Sequence, residues 1–444
     1  MMNQYTTRRD ILKSGLGLTA GLALPHWFRQ EVLAQPVFDP EKSPNERPGI
    51  LLVGCGGMGR ADARSAAAFG KILAVCDPDQ QRVDEAAREF QAEAAYRDFR
   101  RAMTHKGIDV IINGTPDHWH TLINLHALRA GKDVYCEKPL TLTIDEGKKL
   151  VAVARESGRI LQTGSQQRSD ARFRLACELV RNGRIGTLKR IISTLPTGLS
   201  GGPFQSQPVP PELDWNLWQG QAPEMDYVKE RCHMTFRFWY DYSGGTLTDW
   251  GAHHNDIAQW GNGTERSGPV SVEGRVLQRP VAGGYTAYAH YELTYEYANG
   301  VQLLCRNIPH ETFTGAVVPE LKTSDARNGI RFEGTDGWIF VTRGGIEASQ
   351  PEFLSQELPA GALRLYVSNH HMGNFFECVR SRRPPICEPE IGHRSATVCH
   401  LGVIALRVGG KLTWNPDREE FVNNAEANRH VAREMRAPWS YETV

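Results

Sequence analysis

Three short stretches carry side chains able to act together on bound small molecules. In "GGTLTDWGAHHNDIAQW", residues 244–260, Asp249 and His253 stand four apart. On a helix that spacing puts both on one face, where a carboxylate and an imidazole can meet one ligand. Imidazole, with an unperturbed pKa of about 6.5, exchanges protons near neutral pH. In "CEKPLT", residues 136–141, Lys138 sits between Glu137 and Pro139; an ammonium beside a developing carbonyl oxygen stabilises its negative charge. The third stretch, "GILLVGCGGMGRADARSAAAF", spaces Gly54, Gly56 and Gly59 as G-x-G-x-x-G between an apolar run and helix formers. The first glycine turns the chain, the second admits backbone to a pyrophosphate, and the third packs helix on strand. Phosphates then meet Gly57, Met58 and the positive end of the helix.

These residues need elements to position them, and the chain supplies a regular alternation. "KILAVCDP" reads as a second strand ending at Asp77, where a carboxylate takes the ribose hydroxyls of a dinucleotide. That carboxylate repels a 2′-phosphate and Arg82, one turn onward, offsets only part of the repulsion, so NAD is favoured over NADP. The competing reading of Asp77 is the N-cap of "PDQQRVDEAAREF". "DVIING", "DVYCEKP" and "RILQTG" continue as β-rich runs between helix-period stretches, the signature of a doubly wound parallel sheet. Ligands collect at the carboxyl ends of such strands, which places Thr115, Pro116, His118, His120, Glu137, Lys138 and Gln162 as cofactor contacts.

After residue 165 the pattern changes. Runs such as "TAYAHYELTYEYANGVQLLCRNI" alternate with period two around a turn, which predicts an α+β unit with a large open, mainly antiparallel sheet. One face of that sheet is a candidate surface for a homodimer or homotetramer. The resulting division is a leader over 1–34, a Pro-rich linker over 35–47, an α/β Rossmann domain over 48–165, and a substrate and oligomerisation domain over 166–444.

The leader reading rests on "TTRRDILK" ahead of "GLGLTAGLAL". Paired Arg8 and Arg9 before a short apolar run resemble a twin-arginine signal, read by the export machinery for folded proteins and cut after Ala34. The run is shorter than the ~20 apolar residues a membrane-spanning helix needs. Lys plus Arg equals Asp plus Glu at 51 each in the 444-residue chain, so no global field steers it to nucleic acid. Nine scattered cysteines without a C-x-x-C pair argue against a disulfide scaffold.

The glycine fingerprint, "GTPDHWH", "CEKP", "GSQQR", "GGTLTDWGAHHNDIAQW" and "NFFECVRSRRPPICEPEIGHRSATVCHLGVIAL" occur in an order that resembles the Gfo/Idh/MocA family of NAD(P)-dependent sugar and cyclitol oxidoreductases, over nearly all of residues 48–415. The second and third of these look most like an exported, twin-arginine-bearing bacterial branch. The resemblance implies a Lys138 beside the nicotinamide, hydrogen-bonded to the substrate hydroxyl, with a cis peptide before Pro139. It implies that Asp249 holds that hydroxyl while His253 takes its proton as hydride leaves, an acid/base assignment that Lys138 and His253 could exchange. Asp256 falls on the family's pattern as an orienting residue, and His254 contacts substrate or packs. Arg168 and Trp215 are further substrate contacts, the latter through its aromatic face. His393 and Arg394 read as structural. No metal is expected, because hydride chemistry with lysine and histidine at hand requires none, and no G-x-S-x-G elbow supports a Ser/His/Asp triad.

Export of a nicotinamide enzyme implies a tightly bound cofactor carried out with the folded chain. A trapped NADH must return its hydride in the same site. Three reactions satisfy this: oxidation of one sugar coupled to reduction of another, epimerisation through a ketone, and elimination through a transient keto-sugar, as in an NAD-dependent glycosidase or lyase. A non-catalytic sugar sensor that keeps NAD for structure is the alternative of another class.

Overall fold

The computed structural model describes residues 24–34, 47–312 and 328–442; Arg8, Arg9 and nearly all of the linker lie outside them. Strands β1 (Gly49–Val53), β2 (Lys71–Cys76), β3 (Ala94–Tyr96), β4 (Ile108–Asn113), β5 (Asp133–Cys136) and β6 (Leu161–Thr163) form a parallel sheet in the order β3-β2-β1-β4-β5-β6. Every residue of β1 is buried, as a central strand covered on both faces requires. Helices Asp117–Arg129 and Ile144–Ser157 place Leu122, Ile123 and Leu150 on one face. The other face is covered by helix Gly57–Ala66 and, from late in the chain, by Met372, Phe375 and Phe376 of helix His371–Ser381. The order reverses between β1 and β4, which opens a crevice at their carboxyl ends.

The second unit is a nine-stranded sheet among the described residues. Its strands are β7 (Leu188–Thr197), β8 (Ser271–Gln278), β9 (His290–Glu296), β10 (Gln302–Thr312), β11 (Gly329–Gly334), β12 (Trp338–Thr342), β13 (Gly345–Ala348), β14 (Lys411–Asn415) and β15 (Glu420–Phe421), in the order β13-β12-β11-β7-β10-β9-β8-β14-β15. The expected antiparallel pairing of β9 with β10 is present, and the sheet is mixed because β7 and β10 run parallel. Tyr291, Leu293 and Tyr295 of β9 point into the core while His290, Glu292, Thr294 and Glu296 keep partial exposure. Helices Ala171–Arg181, Gly251–Asn262 and Pro389–Val408 supply the opposing layer.

The first and last described segments each cross to the other unit. Helix His26–Ala34, inside the span read as a leader, buries Phe28 in the core of the second unit. The C-terminal tail returns to the Rossmann unit. Trp439 packs on Phe99 and Trp119 with ring centroids 6.4 and 4.9 Å away, and the Tyr441 hydroxyl donates to Glu146 at 2.9 Å. All nine cysteines are buried and unpaired. Among the described residues no helix is long and apolar enough to cross a membrane. Because Trp439 is only partly buried, Trp439→Ala is expected to lower stability by about 2 kcal/mol, read as a lower urea midpoint at unchanged slope.

Candidate functional site

A cavity of ≈ 320 Å³ opens at the reversal crevice. It is lined on the Rossmann side by Gly54, Gly56, Gly57, Met58, Asp77, Arg82, Thr115, Pro116, Glu137 and Lys138, and on the other by Leu217, Trp218, His233, Met234, Phe236 and Arg237. Gly54 has φ +89° and lies so close to Gly114 that a Cβ there would stand 2.6 Å from its carbonyl carbon. A Cβ on Gly59 would stand 2.0 Å from Gly54 O, whereas one on Gly57 would meet nothing within 4 Å. The loop is thus packed tightly behind and left open in front, a cradle that fits a dinucleotide pyrophosphate. Asp77 is buried; its two carboxylate oxygens accept from Cys55 N at 2.8 Å and Asp79 N at 3.0 Å. The N-cap of helix Gln80–Phe90 is Asp79, whose side chain accepts from Arg82 N, which leaves Asp77 for the pocket. Burial raises the Asp77 carboxyl to about 6.

At the far end the two units meet chemically. Lys138 Nζ is ion-paired with Asp249 Oδ1 across the domain boundary and reaches Asp249 O at 3.4 Å. Arg237 Nε lies 3.6 Å from the same carboxylate oxygen. Burial opposes the charge on Asp249, but Lys138 and Arg237 prevail and hold its carboxyl below the usual range. Asp249 ends helix Thr246–Asp249, and helix Gly251–Asn262 follows after Trp250; the turn into the first is Gly245 at φ +72°. His253 is buried, its Nδ1 has no hydrogen-bond partner, and burial together with Lys138 and Arg343 pushes its pKa well below 6.5. It is a neutral imidazole at physiological pH. The peptide before Pro139 is cis, as the resemblance implied.

Several expected contacts go elsewhere. His118 and His120 are fully enclosed: Nε2 of His118 bonds Trp218 O at 3.0 Å, and the His120 ring lies between Pro139 O (2.7 Å) and Thr115 O (2.9 Å). They brace loops rather than line the cavity, because a helix that starts at Asp117 turns both side chains inward. Gln162 donates to His371 O at 2.9 Å and likewise lies behind the site. Gly59 packs the helix onto its strand, as its steric role required. Arg168 is no substrate contact: its guanidinium forms a two-point ion pair with Asp256 at 2.7 and 2.8 Å and lies 4.9 Å from the Trp260 ring centroid. Trp215 stacks on Trp218 and donates to Met225 O, outside the main cavity. His254 is buried between Gln167 Nε2 at 3.3 Å and Asn328 Oδ1 at 2.5 Å.

Other residues enter unannounced. Asp117 lines the cavity, accepts from Ser243 Oγ at 2.5 Å and is raised by burial to about 7. Its place in "GTPDHWH" was the available signal. Asp62 stands next to Glu137; burial raises both carboxyls, and Glu137 raises Asp62 further. Arg343 donates to Gln167 Oε1 at 3.1 Å and lies 4.8 Å from the Trp250 ring centroid. The segment around 212–237 spans the cavity because Gln80 N donates to Glu212 O, Asp214 N to Pro78 O, and Arg97 to both carbonyls. Nothing local in the sequence marks that path. Among the described residues no three His, Cys, Asp or Glu side chains converge as a metal site would require.

Comparison with known proteins agrees with this geometry. Residues 49–165 match a family profile described as oxidoreductase family, NAD-binding Rossmann fold, and residues 199–441 match one described as oxidoreductase family, C-terminal alpha/beta domain, of the Gfo/Idh/MocA group. A scyllo-inositol 2-dehydrogenase (NAD(+)) of Bacillus subtilis is 27% identical over 352 residues, 76% of this chain and 87% of the relative. A WlbA dehydrogenase from Bordetella pertussis, solved with NADH and UDP-GlcNAcA, superposes with a TM-score of 0.61 at 16% identity, covering 84% of this chain and 99% of that one. An aldose-aldose oxidoreductase from Caulobacter crescentus, solved with glycerol, gives 0.60 at 18% identity over 83% of this chain and 100% of that one. These structural likenesses concern the fold.

If Asp77 takes the ribose hydroxyls as expected from the sequence, NAD affinity is expected to fall as pH drops through about 6, where the carboxyl takes up a proton. Asp77→Asn is expected to bind roughly tenfold more weakly at pH 8 and to lose that part of the pH dependence in calorimetric titrations. Arg168→Met leaves Asp256 buried without its cation and is expected to cost about 3–5 kcal/mol of stability, read by chemical denaturation.

Proposed function

We propose, from the premise that the chain belongs to the Gfo/Idh/MocA oxidoreductase family, that it is a carbohydrate dehydrogenase moving hydride between an alcohol carbon of a sugar or cyclitol and NAD. The observation that carries this is the pairing of Lys138, which lines the dinucleotide cavity, with Asp249 of the second unit, next to a neutral His253 whose Nδ1 has no hydrogen-bond partner. The substrate class is supported by inositol and sugar-derivative dehydrogenases among the relatives.

Gly56 and Gly57 would hold the pyrophosphate and Asp77 the adenosine ribose. NAD, when bound, supplies the hydride acceptor. Asp249, fixed by Lys138 and Arg237, orients the substrate hydroxyl, and the Lys138 ammonium stabilises negative charge as that oxygen loses its proton. His253 Nδ1 is the free acceptor for the proton. Burial, Lys138 and Arg343 all oppose the resulting imidazolium, so His253 returns to its neutral form by giving the proton up to solvent.

The second part of the proposal is that NAD stays in place between turnovers, so a second sugar returns the hydride. The span of residues 212–237 over the cavity supports retention, and an aldose-aldose oxidoreductase among the structural neighbours supports coupled chemistry. Export through the twin-arginine route, suggested by Arg8 and Arg9, gives such retention a reason. Association into a homodimer or homotetramer through the partly open face of β9 completes the proposal.

Absorbance and mass spectrometry of unsupplemented, purified protein are expected to show bound nicotinamide. Lys138→Ala and His253→Ala are each expected to keep it while kcat falls roughly 10²–10⁴-fold. No turnover in the parent chain, with a sugar-binding response that survives both substitutions, would instead identify a sensor. Anomeric hydrolysis without a second sugar would identify the redox-neutral route.

A further inference from the structure

The N-terminal segment read as a removable leader contains a packed piece of the enzyme. Phe28 and Val32, four apart, share one face of helix His26–Ala34, Leu24 lies just ahead of it, and the relative exposures of Leu24, Phe28 and Val32 are 7%, 0% and 7%. All three belong to the same core as Leu175 and Leu179 of helix Ala171–Arg181. Pro25 stands immediately before the helix, its carbonyl accepting from Arg29 N, a position where a missing N–H costs nothing.

Polar contacts fix the segment further. The Arg174 guanidinium lies 4.5 Å from the Phe28 ring centroid and pairs with Glu31 and Glu178, each at 2.9 Å. Its side chain is 1% exposed. Arg364 approaches Glu31 at 3.4 Å. Trp27 Nε1 donates to Leu354 O at 3.1 Å, and Asn369 Nδ2 donates to Val32 O. Cleavage after Ala34 would strip the aromatic cover and one carboxylate from a buried guanidinium and open an apolar groove the width of a helix. Both losses are expensive: the first uncovers a charge, the second exposes core.

We propose that the mature chain retains Leu24–Ala34 and that any signal cleavage falls ahead of Leu24. Gly21 and Ala23, flanking Leu22, provide the small residues that a signal peptidase reads at that point. The leader is then residues 1–23, and the linker after Ala34 joins a helix docked on the second unit to the first strand of the Rossmann unit. The peptidase part rests on the export reading; the retention part does not.

The test uses the full chain, expressed in a bacterium with twin-arginine export. Intact mass of the recovered protein is expected to show a first residue at or before Leu24; a stable product beginning at Gln35 would overturn the proposal. In parallel, full-chain Phe28→Ala is expected to lower Tm by about 5 °C, and an unchanged Tm overturns it too, because a residue lost with a leader cannot affect the product. If Phe28→Ala fails to accumulate, Glu31→Gln gives the same reading through a smaller shift, with no shift counting against retention. Protein that stays uncut in the cytoplasm removes support for export, while the Tm comparison still decides the fate of the helix.

Discussion

The site depends on one ion pair. Lys138 ends the run from β5 in the Rossmann unit, Asp249 closes a short helix in the other, and their side chains, 111 residues apart in sequence, are only 9% and 10% exposed. Burying two charges costs several kcal/mol in desolvation, which their attraction repays only when geometry is fixed and remaining polar atoms are satisfied. The surroundings do the fixing. Gln166 Nε2 donates to Glu137 Oε1 at 2.8 Å, His120 braces Pro139 O, and Arg237 supports Asp249 from the second side. Such a pair exists only while the two units stay closed against each other, so catalytic geometry and domain closure are one requirement.

Closure is achieved by the path of the chain more than by any single interface. The N-terminal helix docks on the second unit, helix His371–Ser381 covers the first, and the tail returns to the first again. Between them, residues around 212–237 leave the second unit to span the dinucleotide cavity. That span is held from both ends: backbone bonds join Glu212 and Asp214 to the loop after β2, while Arg436 of the tail donates to Gly220 O at 2.7 Å and its own N–H donates to Gln221 O. The aromatic cluster of Trp215, Trp218, Trp239 and Tyr242 gives the span a core of its own. Opening the cavity therefore means disturbing several packed surfaces together.

The sequence revealed residues whose role is set by backbone geometry or by a pair on one helix face. Gly54, Gly56, Asp77 and Thr115 line the cavity because strand ends and tight turns leave their atoms no other place. It did not reveal side-chain direction one or two residues further on. His118 and His120 share a strand-end motif with Thr115, yet the helix from Asp117 rotates them into the interior. Arg168 looked like a cation awaiting a ligand because its partner, Asp256, is 88 residues away. Trp215 and Trp218 are three apart, and only the second reaches the cavity. Long-range pairing and the route of an irregular segment are tertiary facts; no local propensity encodes them.

Burial also sorts the acids and bases. In and around the cavity Asp62, Asp77, Asp117, Glu137 and Asp249 are buried near Lys138, Arg237 and Arg343, and low-dielectric surroundings do not keep so many carboxylates charged. Burial raises the first four, while the adjacent cations hold Asp249 ionised. The same desolvation, reinforced by Lys138 and Arg343, keeps His253 neutral, and His254 is already bound at both ring nitrogens. Among the side chains at the junction, an ionised carboxylate is thus committed to its cations, an ammonium is committed to that carboxylate, and one imidazole nitrogen has no partner. Between Lys138 and His253, the lysine is ion-paired with Asp249 while His253 Nδ1 has no hydrogen-bond partner, and on that contrast rests the proposed assignment of charge stabilisation to the lysine and proton acceptance to the histidine.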